Sequence, residues 1–168
     1  MSNVGPVTEP ELHPACEPLR SLLGTWRGSG AGHYPTIEDF EYLEEVTFGH
    51  VGKPFVSYGQ RTRHARDGVP LHAEQGYLRP QGDGRVELVI AQPSGIVEVH
   101  AGTLASTTTG VELHLHSLEV VTTPSAKHVA SVERSIRVDG DTLAYDLSMG
   151  AMSQPHQHHL AATLTRVE

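Results

Sequence analysis

The sequence predicts an all-β fold: a ten-stranded antiparallel up-and-down barrel with a short N-terminal helix. Three observations carry that expectation. After Gly24 the apolar residues recur with period two along ten successive stretches. Turns built from Gly, Asp and Pro separate those stretches at short intervals, which favours antiparallel pairing in sequence order. Helical spacing shows once, ahead of Gly24, where Leu19, Leu22 and Leu23 form an apolar stripe. Closing the strands into a barrel removes exposed edges. A sandwich has the same periodicity and is the alternative. A barrel of ten strands is too wide for its side chains to fill, so a cavity is expected.

In chain order, residues 1–12 are polar and proline-bearing and read as a flexible tail, leaving 13–168 as one domain. A short helix spans His13 to Leu23, with Pro14 tolerated in its first turn and Gly24 ending it. The strands follow as Thr25–Gly32, Phe40–His50, Pro54–Arg63, Leu71–Arg79 and Arg85–Ala91, then Gly95–Leu104, Val111–Leu118, Lys127–Val138, Thr142–Met149 and His158–Val167. In the second, Phe40, Tyr42, Val46 and Phe48 share a face. In the fifth, Val86, Leu88 and Ile90 oppose Arg85, Glu87 and Val89. In the seventh, Val111, Leu113 and Leu115 oppose Glu112, His114 and His116. Asp67-Gly68, Gly82-Asp83-Gly84, Pro93-Ser94-Gly95, Thr109-Gly110 and Asp139-Gly140 mark turns.

Composition narrows the function. The chain has 168 residues and a formal charge of −8, and its 12 Lys and Arg are scattered, which argues against a nucleic-acid surface. No apolar run approaches the roughly 18 residues of a membrane span, and residues 1–20 lack the pattern of a signal peptide. The single Cys16 permits no intrachain disulfide. A cytoplasmic location is therefore expected. No Ser–His–Asp order, phosphate loop or carboxylate pair stands out.

The chemistry points to histidine, of which there are 12. His156, His158 and His159 crowd the turn before the last strand, and imidazole is a common ligand for haem iron. Plain alternation puts His158 on the face of Leu160, Ala162 and Leu164, and His159 on the other face. A bulge introduced by Pro155 would reverse that order. Residue pattern alone leaves both in contention. His114 and His116 share a strand face that reads as solvent-facing. In Gly24-Thr-Trp-Arg-Gly-Ser-Gly30 the spacing is wrong for a dinucleotide site, and Trp26 reads as a plug for the closed end.

Taken together, several motifs resemble the nitrobindin family of haem-binding barrels. They are Gly24–Gly30, Tyr34-Pro-Thr-Ile37, Phe40–Glu45, Leu71-His-Ala-Glu-Gln-Gly-Tyr-Leu-Arg79, Ile90–Gly95 and Gln154-Pro-His-Gln-His-His-Leu160. The resemblance runs from about Leu19 to the C-terminus and implies a barrel related to fatty-acid-binding proteins and lipocalins, with haem at the open end. It implies ferric haem b held by His159 as proximal iron ligand, with Thr36, Leu71, His72, Gln92 and Met149 around it. It further implies binding of nitric oxide, isomerisation of peroxynitrite to nitrate through the iron on His159, and a homodimer. The competing reading is a carrier of a small hydrophobic ligand; a third is a structural domain without cofactor.

Overall fold

The computed structural model describes residues 9–167. Its elements are a short 3-10 helix, Pro14–Leu22, and ten strands: β1 Gly24–Tyr34, β2 Ile37–Gly49, β3 Val56–His64, β4 Pro70–Gly82, β5 Arg85–Ala91, β6 Ile96–Ser106, β7 Gly110–Thr122, β8 Val129–Asp139, β9 Thr142–Ala151 and β10 Gln157–Val167. Each strand pairs antiparallel with its sequence neighbours, and β1 also pairs with β10, from Thr25 opposite Val167 to Gly32 opposite Leu160. The sheet is therefore a closed barrel, and the sandwich alternative is set aside. All ten expected strands are present, with ends shifted by a few residues.

Of the expected tail, residues 1–8 lie outside the described residues, and Leu12 packs against the core. The helix is 3-10 and carries Pro18 in its interior, a residue poorly suited to a regular α-helix. Its buried residues Cys16, Leu19 and Leu22 recur at the three-residue period of that helix. They pack onto fully buried Trp26, whose indole Nε1 donates to the Leu22 carbonyl at 2.7 Å. Arg166 lies 4.1 Å over the same ring. Trp26 and the helix thus fill one end of the barrel.

Inward positions follow the alternation. Val86, Leu88 and Ile90 are buried, as are Val111, Leu113 and Leu115, while His114 and His116 are exposed. On β1, Gly30 and Gly32 sit beneath aromatic rings. A Cβ at Gly30 would lie 2.4 Å from the Tyr42 ring, and one at Gly32 would lie 2.2 Å from the Phe40 ring. The missing side chains are what let Tyr42 and Phe40 lie against the wall. Among the described residues, no helix is long and apolar enough to cross a membrane.

Candidate haem site

The end of the barrel opposite the helix opens into a cavity of about 780 Å³. That lies within the usual range for small-molecule sites. Thr36, Leu71, His72, Gln92, Met149 and His159 all line it, although they come from β4, β9, β10 and two connections. Thr36 and Leu71 are exposed at the mouth; the other four are half-buried.

His159 reaches the cavity through a bulge. On β10, His158 pairs with Ser148 and Leu160 with Leu147, so His159 has no partner on β9. The extra residue reverses the inside–outside order at that point. His159 and Leu160 both line the cavity, and His158 points outward to Asp146, with Nε2 3.2 Å from Oδ1. Plain alternation is thereby corrected. The break falls at His159 itself, within the strand, and His156 also faces outward, against Ser131 and Glu133.

The His159 ring is held on three sides. Its Nδ1 lies 3.0 Å from the His33 carbonyl, an acceptor only, so Nδ1 carries the proton and donates. Tyr34 and Phe40 meet the ring edge-on, at centroid distances of 5.2 and 6.5 Å. Tyr34 is itself fixed, because its hydroxyl accepts from the Ala151 N–H at 2.8 Å and donates to the Ala151 carbonyl at 3.1 Å. Burial lowers the His159 pKa; the bond to His33 opposes this, and neighbouring His158, His72 and His33 add to it. The imidazole is therefore held neutral, and among the described residues its Nε2 has no hydrogen-bond partner. A neutral ring with one nitrogen anchored and the other free is the donor that an iron ligand requires.

Below the mouth lies a polar floor. Arg134 (β8) donates from Nη1 and Nη2 to both oxygens of Glu74 (β4), at 3.0 and 2.9 Å, and from Nη2 to Glu98 (β6) at 2.9 Å. Glu74 is further met by the Tyr58 hydroxyl at 2.9 Å and His72 Nε2 at 3.2 Å. Glu98 is met by Gln92 Nε2 at 2.6 Å and His100 Nε2 at 2.7 Å. Burial opposes ionisation of both carboxyls, but Arg134 with His72 outweighs it at Glu74, and Arg134 with His100 does so at Glu98. Both are held below the ordinary carboxylate range. Glu44 (β2) stands apart, bonded by Gln60 Nε2 and the Tyr145 hydroxyl, each at 2.8 Å. Burial pushes it up to about 7, against the two hydrogen bonds.

The absence of any carboxylate grouping in the sequence reading is thus corrected. Glu44, Glu74 and Glu98 lie far apart in the chain, and barrel closure gathers them. Their signal was their parity. Glu44 falls between Tyr42 and Val46, Glu98 between Ile96 and His100, and Arg134 between Val132 and Ile136, all inward positions.

A sequence model of the THAP4-like, heme-binding beta-barrel domain matches residues 15–166. The chain belongs to that family. The resemblance to nitrobindins therefore holds along nearly the whole chain. The chain is 55% identical over 156 residues to peroxynitrite isomerase 1 of Mycolicibacterium paratuberculosis, covering 93% of this chain and 97% of that protein. It is 54% identical, over the same shares, to peroxynitrite isomerase 2 of Mycobacterium avium. Rv2717c from M. tuberculosis, a solved crystal structure, superposes with a TM-score of 0.91 at 52% identity, over 94% of this chain and 100% of that one. Haem is the cofactor class of this family, and the cavity fits it: one neutral imidazole with a free nitrogen stands at the mouth of a largely apolar chamber.

Proposed function

We propose that the protein is a peroxynitrite isomerase that binds ferric haem b on His159. The observation that carries this reading is the bulge at His159, which turns a ring fixed by His33, Tyr34 and Phe40 into the cavity. Family membership and the relatives' names support it. Haem, when bound, supplies an open iron position at which peroxynitrite is rearranged to nitrate, and nitric oxide is a second small ligand of that position.

The protein's own part is to bind, orient and shield. His159 offers Nε2 while His33 holds its proton at Nδ1. Met149, Leu147 and Leu160 give an apolar wall that keeps water from the cavity, and Thr36 and Leu71 form the rim. His72 and Gln92 are tied to Glu74 and Glu98, so they serve as wall residues held in place from below. With the haem reading go residues 13–168 as one domain, a homodimer and a cytoplasmic location.

The carrier reading is weaker for a physical reason. An anionic amphiphile entering the chamber would need a free cation at depth, and Arg134 is already matched by two carboxylates.

Haem titration of wild type, His159→Ala and His158→Ala tests the assignment. The expected result is a Soret band in wild type and His158→Ala, and loss of the iron–imidazole spectrum with weakened binding in His159→Ala. Full affinity with an unchanged band in His159→Ala would overturn the axial role. Stopped-flow decay of peroxynitrite to nitrate, faster than with free haem, tests the isomerase activity.

A further inference from the structure

We propose that Glu44 sets the direction of the Tyr145–Tyr42 hydroxyl chain, and so decides whether the cavity offers a small oxyanion a hydrogen-bond donor or an acceptor. The oxyanion as ligand class rests on the isomerase reading; the chain itself does not.

The geometry is linear. Glu44 is 4% exposed. It meets the cavity through Gln60, Tyr145 and Tyr42, all of which line it. Gln60 Nε2 donates to Oε1, which leaves Oε2 as the oxygen through which the proton of the neutral acid meets Tyr145. Oε2 lies 2.8 Å from the Tyr145 hydroxyl, which lies 2.7 Å from the Tyr42 hydroxyl. When Glu44 is protonated, Oε2 donates to Tyr145, Tyr145 donates to Tyr42, and the Tyr42 O–H is turned outward. Its protein acceptor is then the Ala161 carbonyl at 3.5 Å, at the limit of a hydrogen bond, so a ligand oxygen competes easily. When Glu44 is ionised, Tyr145 donates to Oε2 and Tyr42 donates to Tyr145. Tyr42 is left with lone pairs only, which repel an oxyanion. The same ionisation adds a negative charge to the floor, so both effects act in one direction.

The groups facing Glu44 explain why it is the switch. They are Tyr42 on its own strand, Tyr58 and neutral Gln60 on β3, and Glu74 with His72 on β4. Glu98 with His100 on β6, Arg134 on β8 and Tyr145 on β9 complete the set. On β1 its neighbour is Gly28, with no side chain. Glu74 and Glu98 each bond Arg134 and a histidine, whereas Glu44 has no cation within hydrogen-bonding reach among the described residues. Burial accordingly pushes Glu44 up to about 7, where small pH changes invert the chain.

The test uses haem-free protein with 13C-labelled tyrosine, read by the Cζ resonances of Tyr42 and Tyr145. In wild type both resonances shift with a common midpoint near pH 7. Glu44→Gln loses that inflection while remaining able to bond Gln60 and Tyr145. Tyr145→Phe cuts the chain, and Tyr42 loses its response. Inorganic nitrate, used as the probe, shifts Tyr42 below the midpoint and not above it, and not in Tyr145→Phe. An inflection that survives in Glu44→Gln, none in wild type, or a nitrate effect independent of pH or absent throughout would overturn the proposal. Haem takes no part in these measurements. Failure of haem binding or isomerase activity would sink the proposed function and leave this result standing.

Discussion

The two ends of the barrel use the same alternation to opposite purpose. At the closed end, inward positions are Trp26 and Leu164, and the 3-10 helix adds Cys16, Leu19 and Leu22. The interior there is filled, and the Trp26 indole finds a local partner in the Leu22 carbonyl. At the open end, the inward positions are Tyr42, Glu44 and Phe40 on β2 and the bulged His159 on β10. A cavity remains, walled by apolar residues and floored by carboxyls around Arg134. The lesson is that stability and chemistry are separated along the barrel axis, so substitutions at one end should leave the other nearly untouched.

The largest expected effect lies at the boundary between the ends. Replacing Arg134 by Met leaves Glu74 and Glu98 buried without their cation and should cost about 3–5 kcal/mol in urea unfolding. A loss below about 1 kcal/mol would mean the floor is far wetter than its burial indicates. At the closed end, Leu22→Ala removes a fully buried side chain and should cost about 2–5 kcal/mol, with haem affinity unchanged. His159→Ala should show the reverse pattern, losing the iron–imidazole spectrum with little change in unfolding. A matching loss of haem affinity in Leu22→Ala would break the separation.

A smaller effect is a slope in pH. Glu44 rises from an ordinary 4.5 to about 7 on folding, so its contribution is fully present below 4.5 and is lost as pH rises to about 7. Stability should therefore fall over that window, by on the order of 3 kcal/mol from this group. Glu44→Gln should remove that fall when unfolding is compared with wild type at each pH. Glu74 and Glu98 act oppositely: their contribution is present above the ordinary carboxyl value and is lost as pH drops below it. The smallest of these effects concerns the glycine wall. Gly30→Ala forces a methyl into the Tyr42 ring and the Ala161 carbonyl and should cost about 1–3 kcal/mol.

Much of this was legible before the coordinates. Period-two alternation placed all ten strands, and the inward aromatic set on β2 followed from it. The cavity-lining residues Thr36, Leu71, His72, Gln92, Met149 and His159 were identified through family likeness, and the fold brings them to one chamber. Alternation by itself preferred His158, because it counts residues and cannot see one that the ladder skips. The Glu74–Arg134–Glu98 floor was missed for another reason. A lone Glu at an inward position reads as an exception until its partner on a distant strand is known.

The sequence by itself determined the strand number, the up-and-down order, the Trp26 plug and the histidine-rich turn, because these depend on local periodicity, turn residues and short spacings. Only the tertiary structure decided which imidazole faces inward and which charges share the interior. Both depend on cross-strand register: β9 leaves His159 unpaired on β10, and closure of β1 onto β10 sets β2, β4, β6 and β8 around one floor.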